Sequence, residues 1–129
     1  MQFDEFINRV QEQTKMDTSE EAISLTKAVL ETLGERLDRK VRNGVTAQLP
    51  EELKDFLLTR SDQTDRYPLA EFYNRVGARA DLKYQDAVKR TLQVFVVLQR
   101  ALPSGEIQDI LEDLPTEYEA LFEKELPNL

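Results

Sequence analysis

The sequence predicts an all-α fold, a helical bundle of two pseudo-symmetric four-helix repeats. Three observations lead there. Apolar residues recur at spacings of three and four along most of the chain, the period of an amphipathic helix. Clean alternation of β-branched and polar residues, the strand signal, is not sustained anywhere. And the chain nearly repeats itself: "EFINRV" at 5–10 returns as "EFYNRV" at 71–76.

The correspondence extends beyond that segment. Glu5, Phe6, Asn8, Arg9 and Val10 match Glu71, Phe72, Asn74, Arg75 and Val76. Further on, with one residue lost, Ala22 meets Ala87, Ile23 meets Val88, Thr26 meets Thr91, Val29 meets Val94, Leu33 meets Leu98 and Leu37 meets Leu102. "QLP" at 48–50 then meets "DLP" at 113–115. A single domain over 1–129 is expected, with copies at 3–58 and 69–122 and a polar surface linker at about 59–67. A unit of about sixty residues buries too little surface to be secure alone, and two can pack their apolar faces together. The charges are balanced: residues 1–66 carry 10 basic and 14 acidic groups, residues 67–129 carry 7 and 11.

Within the first copy, Phe3, Phe6, Ile7 and Val10 predict a helix over 3–14. Thr18 followed by Glu21 reads as a capping box, opening a second helix that runs to about Leu37. A short third helix spans about 40–48, weakened by Gly44. A fourth starts at Pro50, since proline suits a first turn where its absent N–H has no helical partner. The second copy repeats the plan at about 68–79, 84–102, 105–113 and 115–125, with Pro68 and Pro115 again in first turns. Glu31 and Thr32 become Val96 and Val97, so the helix at 84–102 is apolar on more than one face. That predicts the central helix of the bundle, or a face that meets another chain.

Composition narrows the chemistry. There are no cysteines and no histidines, which excludes disulfides, thiolate nucleophiles, Cys/His zinc sites and the usual proton shuttle near neutral pH. The four glycines are isolated, so there is no phosphate-cradling loop, and no nucleophile elbow occurs. The longest apolar run is "VFVVL" at 94–98, far from the ~20 residues that span a membrane. The first residues are acidic where a signal peptide is basic and apolar, which predicts a cytoplasmic protein. A net charge of −8 disfavours nucleic acid.

The Phe-x-x-x-Val first helix, the acidic start with Ala before "AVLETLGERL", and "AQLPEELKDFL" together resemble the bacterial family known as domain of unknown function 2267. The resemblance covers nearly the whole chain. It implies a bacterial, all-helical protein of repeated helix sets with no established activity, and it carries over no site residue. The second copy departs from the pattern at "EDLPTEYEALF", where Tyr118 and acids replace a cleaner amphipathic helix.

Several groups have chemical potential. Glu5/Arg9 and Glu71/Arg75 are acid-first i,i+4 pairs; they read as helix salt bridges in preference to two anion sites. Asn8 and Asn74 are poor mid-helix residues, and each is expected to bond a neighbouring loop or helix end. "RLDRKVR" at 36–42 gathers Arg36, Arg39, Lys40 and Arg42. Its cations complement a helix C-terminus, and it is the candidate docking patch for an acidic partner or a phosphate. Residues 106–125 hold eight acids, read as a solvated face that could meet the basic patch of another molecule. The expectation is a non-catalytic interaction or regulatory module for a protein partner, self-association included, with no cofactor and no metal. The alternative is a bundle that holds a small ligand between its halves.

Overall fold

The computed structural model describes residues 1–58 and 63–122. The chain runs α1 (Phe3–Thr14), α2 (Ser19–Arg36), α3 (Arg39–Thr46), α4 (Glu51–Leu57), α5 (Leu69–Ala80), α6 (Tyr84–Ala101) and α7 (Ser104–Asp113), then a 3-10 segment, Thr116–Phe122. Among the described residues there is no strand.

Local chemistry sets the helix starts. Thr18 caps α2 by accepting the Glu21 N–H at 3.2 Å, as the capping box predicts. The Glu21 carboxylate accepts the Thr18 hydroxyl at 3.1 Å, whereas the usual box returns to the backbone N–H. Pro50 and Pro68 each lie one position earlier than expected. They are extended N-cap residues (ψ 158° and 167°), and the first turn follows them. The helix expected at 115–125 is a 3-10 segment as far as Phe122; residues 123–125 lie outside those described.

Packing across the chain is reciprocal. α1 lies on α6, α2 lies on α5, and α3 lies on α7, while α2 also meets α1, α4 and α6. Phe6, Val10, Val29, Leu30, Leu33, Phe72, Val76, Phe95 and Leu98 are fully buried between these layers. Each such side chain contributes on the order of 1.5–3 kcal/mol through burial. Phe72 is the aromatic centre, with ring centroids of Phe95, Tyr118, Tyr67 and Tyr73 at 6.2, 5.9, 6.4 and 6.4 Å. Gly34 lets α4 press onto α2: a Cβ there would strike the Leu57 carbonyl oxygen.

The central helix is α2, not α6. Ten of its 18 residues are buried, against six of 18 in α6. Val97 is buried, but Val96 is half-exposed. On α2, Thr32 is enclosed despite its hydroxyl because it bonds the Ala28 carbonyl at 2.8 Å, so polarity on that face did not mean exposure.

The expected surface linker is only partly described. Residues 59–62 fall outside the described residues, but 63–68 are tied down. Tyr67 is 5% exposed; its hydroxyl donates to the Thr32 carbonyl at 2.7 Å. Asp65 N–H donates to the Glu35 carbonyl at 2.9 Å, and the Thr64 hydroxyl donates to the Leu37 carbonyl at 3.1 Å. Gln63, Asp65, Arg66 and Pro68 are exposed, so the described part of the segment lies at the surface while its backbone and Thr64 bond the end of α2.

Candidate functional site

The fold divides the four cations of "RLDRKVR". Arg36, the last residue of α2, is 3% exposed. Its Nε donates to the Tyr67 carbonyl at 2.9 Å, and its guanidinium lies 5.2 Å from the Tyr118 ring centroid. Arg42 is 4% exposed, and its Nη1 donates to the Gly34 carbonyl at 3.1 Å. It thereby satisfies an open carbonyl in the last turn of α2, a role the helix dipole favours for a cation. Arg39 and Lys40, in the first turn of α3, are exposed. Two cations are therefore internal fittings, and two remain at the surface.

The antiparallel crossing of α3 and α7 brings Lys40 to the acidic region. Lys40, Val41 and Gly44 form one wall of a groove of about 470 Å³; Glu106, Asp109, Glu112 and Asp113 form the other. Four acids of the run expected to form a solvated face thus make one wall of a cleft, opposite a single ammonium. Gly44 gives Glu106 room, since a Cβ at 44 would sit 3.0 Å from Glu106 Oε2 and the carboxylate would have to shift slightly. Glu123 and Glu125, also part of the acidic run, lie outside the described residues.

At the groove's end two carboxyls meet. Asp113 Oδ2 accepts the Asp38 N–H at 3.0 Å, and Asp38 Oδ1 pairs with Arg66 at 2.7 Å. Burial, then the neighbouring Asp38 carboxylate, push Asp113 above the usual carboxylate range. The hydrogen bond with Asp113, helped by Arg66 and against the cost of desolvation, holds Asp38 below it. Of the two neighbouring carboxyls, Asp113 is the one whose proton is held more tightly. Among the described residues no group of three or more carboxylates is disposed to hold a metal ion.

A second groove, about 310 Å³, runs between the start of α2 and the α5–α6 corner, along Met16, Glu20, Ser24, Leu25, Ala80 and Leu82. It opens at the surface and draws its lining from both sequence copies.

The two Glu–Arg pairs form as predicted. Arg9 meets Glu5 at 3.0 Å, and Arg75 Nε meets Glu71 at 2.9 Å. Asn8 and Asn74 depart from expectation: both are exposed, and among the described residues neither side chain makes a hydrogen bond. Sequence reading missed a cluster around Tyr67. Arg75 reaches Asp65 at 2.8 Å and stacks on the Tyr67 ring at 4.0 Å. Arg79 forks onto Glu35 at 2.6 and 3.0 Å and donates to the Thr32 hydroxyl at 2.7 Å. Burial, then the charge of Glu35, hold the Tyr67 phenol well above its ordinary range, so it stays a neutral donor. An aromatic residue closing a polar stretch was the one visible signal for this cluster.

These features define an all-helical protein with a charged cleft between two short helices and buried arginines bonded to backbone carbonyls. Among the described residues no helix is long and apolar enough to cross a membrane. The chain belongs to the DUF2267 family, described as an uncharacterized conserved protein, whose model matches residues 3–121. No curated protein matches it.

Proposed function

We propose that this chain is a non-catalytic interaction module of the bacterial cytoplasm whose α3–α7 groove receives a basic segment of a protein partner. The supporting observation is the groove itself: an acidic wall of Glu106, Asp109, Glu112 and Asp113 faces a wall of Lys40, Val41 and Gly44. A cationic, partly apolar peptide suits that mixture, and the chain's net charge of −8 steers such a partner towards it. Arg39 and Lys40, both exposed, give the groove a basic end that sets the orientation of a bound segment by repelling its cations. Affinity of this kind weakens with salt, because exposed charges are screened within about 10 Å at 0.1 M.

The test is photo-crosslinking in cells from a reactive residue placed at Val41. The expected result is one defined partner, linked through a Lys/Arg-rich segment. Its yield should fall roughly tenfold when Asp109 and Glu112 are both changed to Lys. Undiminished yield from that double variant would remove the groove from the interaction.

A second reading is a small apolar ligand held between the two sequence copies. It draws on the Met16–Leu82 groove, whose ~310 Å³ is near the lower end of the ~300–1,000 Å³ usual for such sites. Its open mouth supports this reading less well than the charge pattern supports the first.

A further inference from the structure

Arg36 is the least explained charge in the molecule. It is 3% exposed, and among the described residues no carboxylate lies within ion-pair distance of it. Nε is bonded to the Tyr67 carbonyl, but Nη1 is buried and, among the described residues, has no hydrogen-bond partner. Asp113 and Asp38 belong to the neighbouring carboxyl pair, and the charge of Arg36 reaches Asp113 only through space. An enclosed guanidinium with an idle N–H edge is costly, since both desolvation and an unmade charged hydrogen bond count against it. A methionine of similar length would avoid both.

The cover over this cation is unusual. Tyr118, fully buried, lies on the guanidinium and is held by a hydroxyl bond of 2.7 Å to the Tyr67 carbonyl, the same oxygen that Arg36 uses. It belongs to a seven-residue 3-10 segment, longer than the three or four residues that this poorer hydrogen-bond geometry usually sustains. At the matching place in the first copy, the chain forms an ordinary α-helix, α4.

We infer that the 3-10 segment Thr116–Phe122 is a strap over a concealed oxyanion site, and that Arg36, with its free Nη1 edge, binds a phosphoryl group when the strap lifts. The chemistry is that of a planar fork meeting a tetrahedral oxyanion through charge-assisted hydrogen bonds. A phosphoryl ligand that engages only the uncovered guanidinium draws the equilibrium towards the open form by as much as it prefers that form. This inference is independent of the α3–α7 groove, because it concerns the end of α2 beneath the 3-10 segment and a ligand of opposite charge.

Hydrogen exchange on the intact chain tests it, with inorganic phosphate as the probe and chloride at matched ionic strength as the control. Phosphate should speed exchange of the amides at 116–122 severalfold and leave those of α2 unchanged. Tyr118→Phe removes the bond to Tyr67 but keeps the ring, and should lower the phosphate concentration needed for half the effect. Arg36→Gln should abolish the response. A wild-type response no larger with phosphate than with chloride, or one that persists in Arg36→Gln, would overturn the inference. A stability measurement adds a separate arm. Arg36→Met should unfold at a higher denaturant concentration than wild type. A lower midpoint would make the guanidinium a structural clamp and end its assignment as a ligand site.

Discussion

Arg9 and Arg75 occupy matching places, four residues after a glutamate on the first helix of each sequence copy, yet they live in different surroundings. Arg9 bonds Glu5 and otherwise faces solvent. Arg75 bonds Glu71, Asp65 and Glu35 and lies over the Tyr67 ring. The difference comes from what arrives beside them. Residues 63–68 run past Arg75 and turn a surface ion pair into a junction. Burial works against the charge of Arg75, and its bonds to Glu71 and Asp65 outweigh that, so its proton is held more tightly than usual. Identical local motifs acquire different energetics from tertiary neighbours alone.

The sharpest way to probe the contrast is alanine at both positions. Arg75→Ala should cost about 1–3 kcal/mol in urea unfolding, because it strips a carboxylate cluster of its cation and the Tyr67 ring of its cover. Arg9→Ala should cost less than about 0.5 kcal/mol, as exposed i,i+4 pairs do. Equal losses would erase the distinction between the two halves.

A smaller effect tests where the halves agree. Thr26 and Thr91 correspond in sequence; both are fully buried, and among the described residues neither hydroxyl has a partner. Thr32, by contrast, bonds the carbonyl four residues back. Replacing Thr26 or Thr91 with the isosteric valine should raise stability by about 1 kcal/mol at each site, through removal of an unsatisfied buried group. Calorimetric melting of the two single variants would read it, and a gain at one site with a loss at the other would mean that the two positions are not alike inside the core.

The smallest effect concerns Asp113, whose counterpart in the first copy is Gln48. Because its folded-state pKa is raised, the folded chain binds more protons than the unfolded chain between the two values, so its contribution to stability falls as pH rises through that window. Asp38, held low, acts in the opposite sense as pH falls. Asp113→Asn keeps an acceptor for the Asp38 N–H and removes the charge. It should melt higher than wild type near neutral pH, by an amount equivalent to under about 1 kcal/mol for a partly solvated group, with the advantage vanishing towards pH 4. A constant offset across the pH range would exclude titration of Asp113 as the cause.

Most of the architecture was legible in the sequence. Helix positions followed from apolar spacing and from the Thr18 cap, and α1 lies where Phe3, Phe6, Ile7 and Val10 put it. The errors share one origin, which is that local pattern does not reveal tertiary partners. Val96 and Val97 suggested a central α6, but enclosure went to α2, where Thr32 and Arg36 are buried by bonds made to their own helix and to Tyr67. The fourth helix of the second copy tightened into a 3-10 segment around Tyr118, which must reach both the Phe72 ring and the Tyr67 carbonyl. The cationic run read as one patch because its charges adjoin in sequence; helix geometry turned Arg36 and Arg42 inward and left Arg39 and Lys40 outside. The groove was beyond reach, since nothing local to "VRNG" or "GEIQDILED" tells that they face each other.

One backbone oxygen has a wider meaning. The carbonyl of Tyr67 receives Arg36 from one half and Tyr118 from the other, so neither half keeps its interior bonds if the chain is severed nearby. With both pieces bonded to one acceptor, the chain should melt in a single step rather than as two loosely coupled pieces.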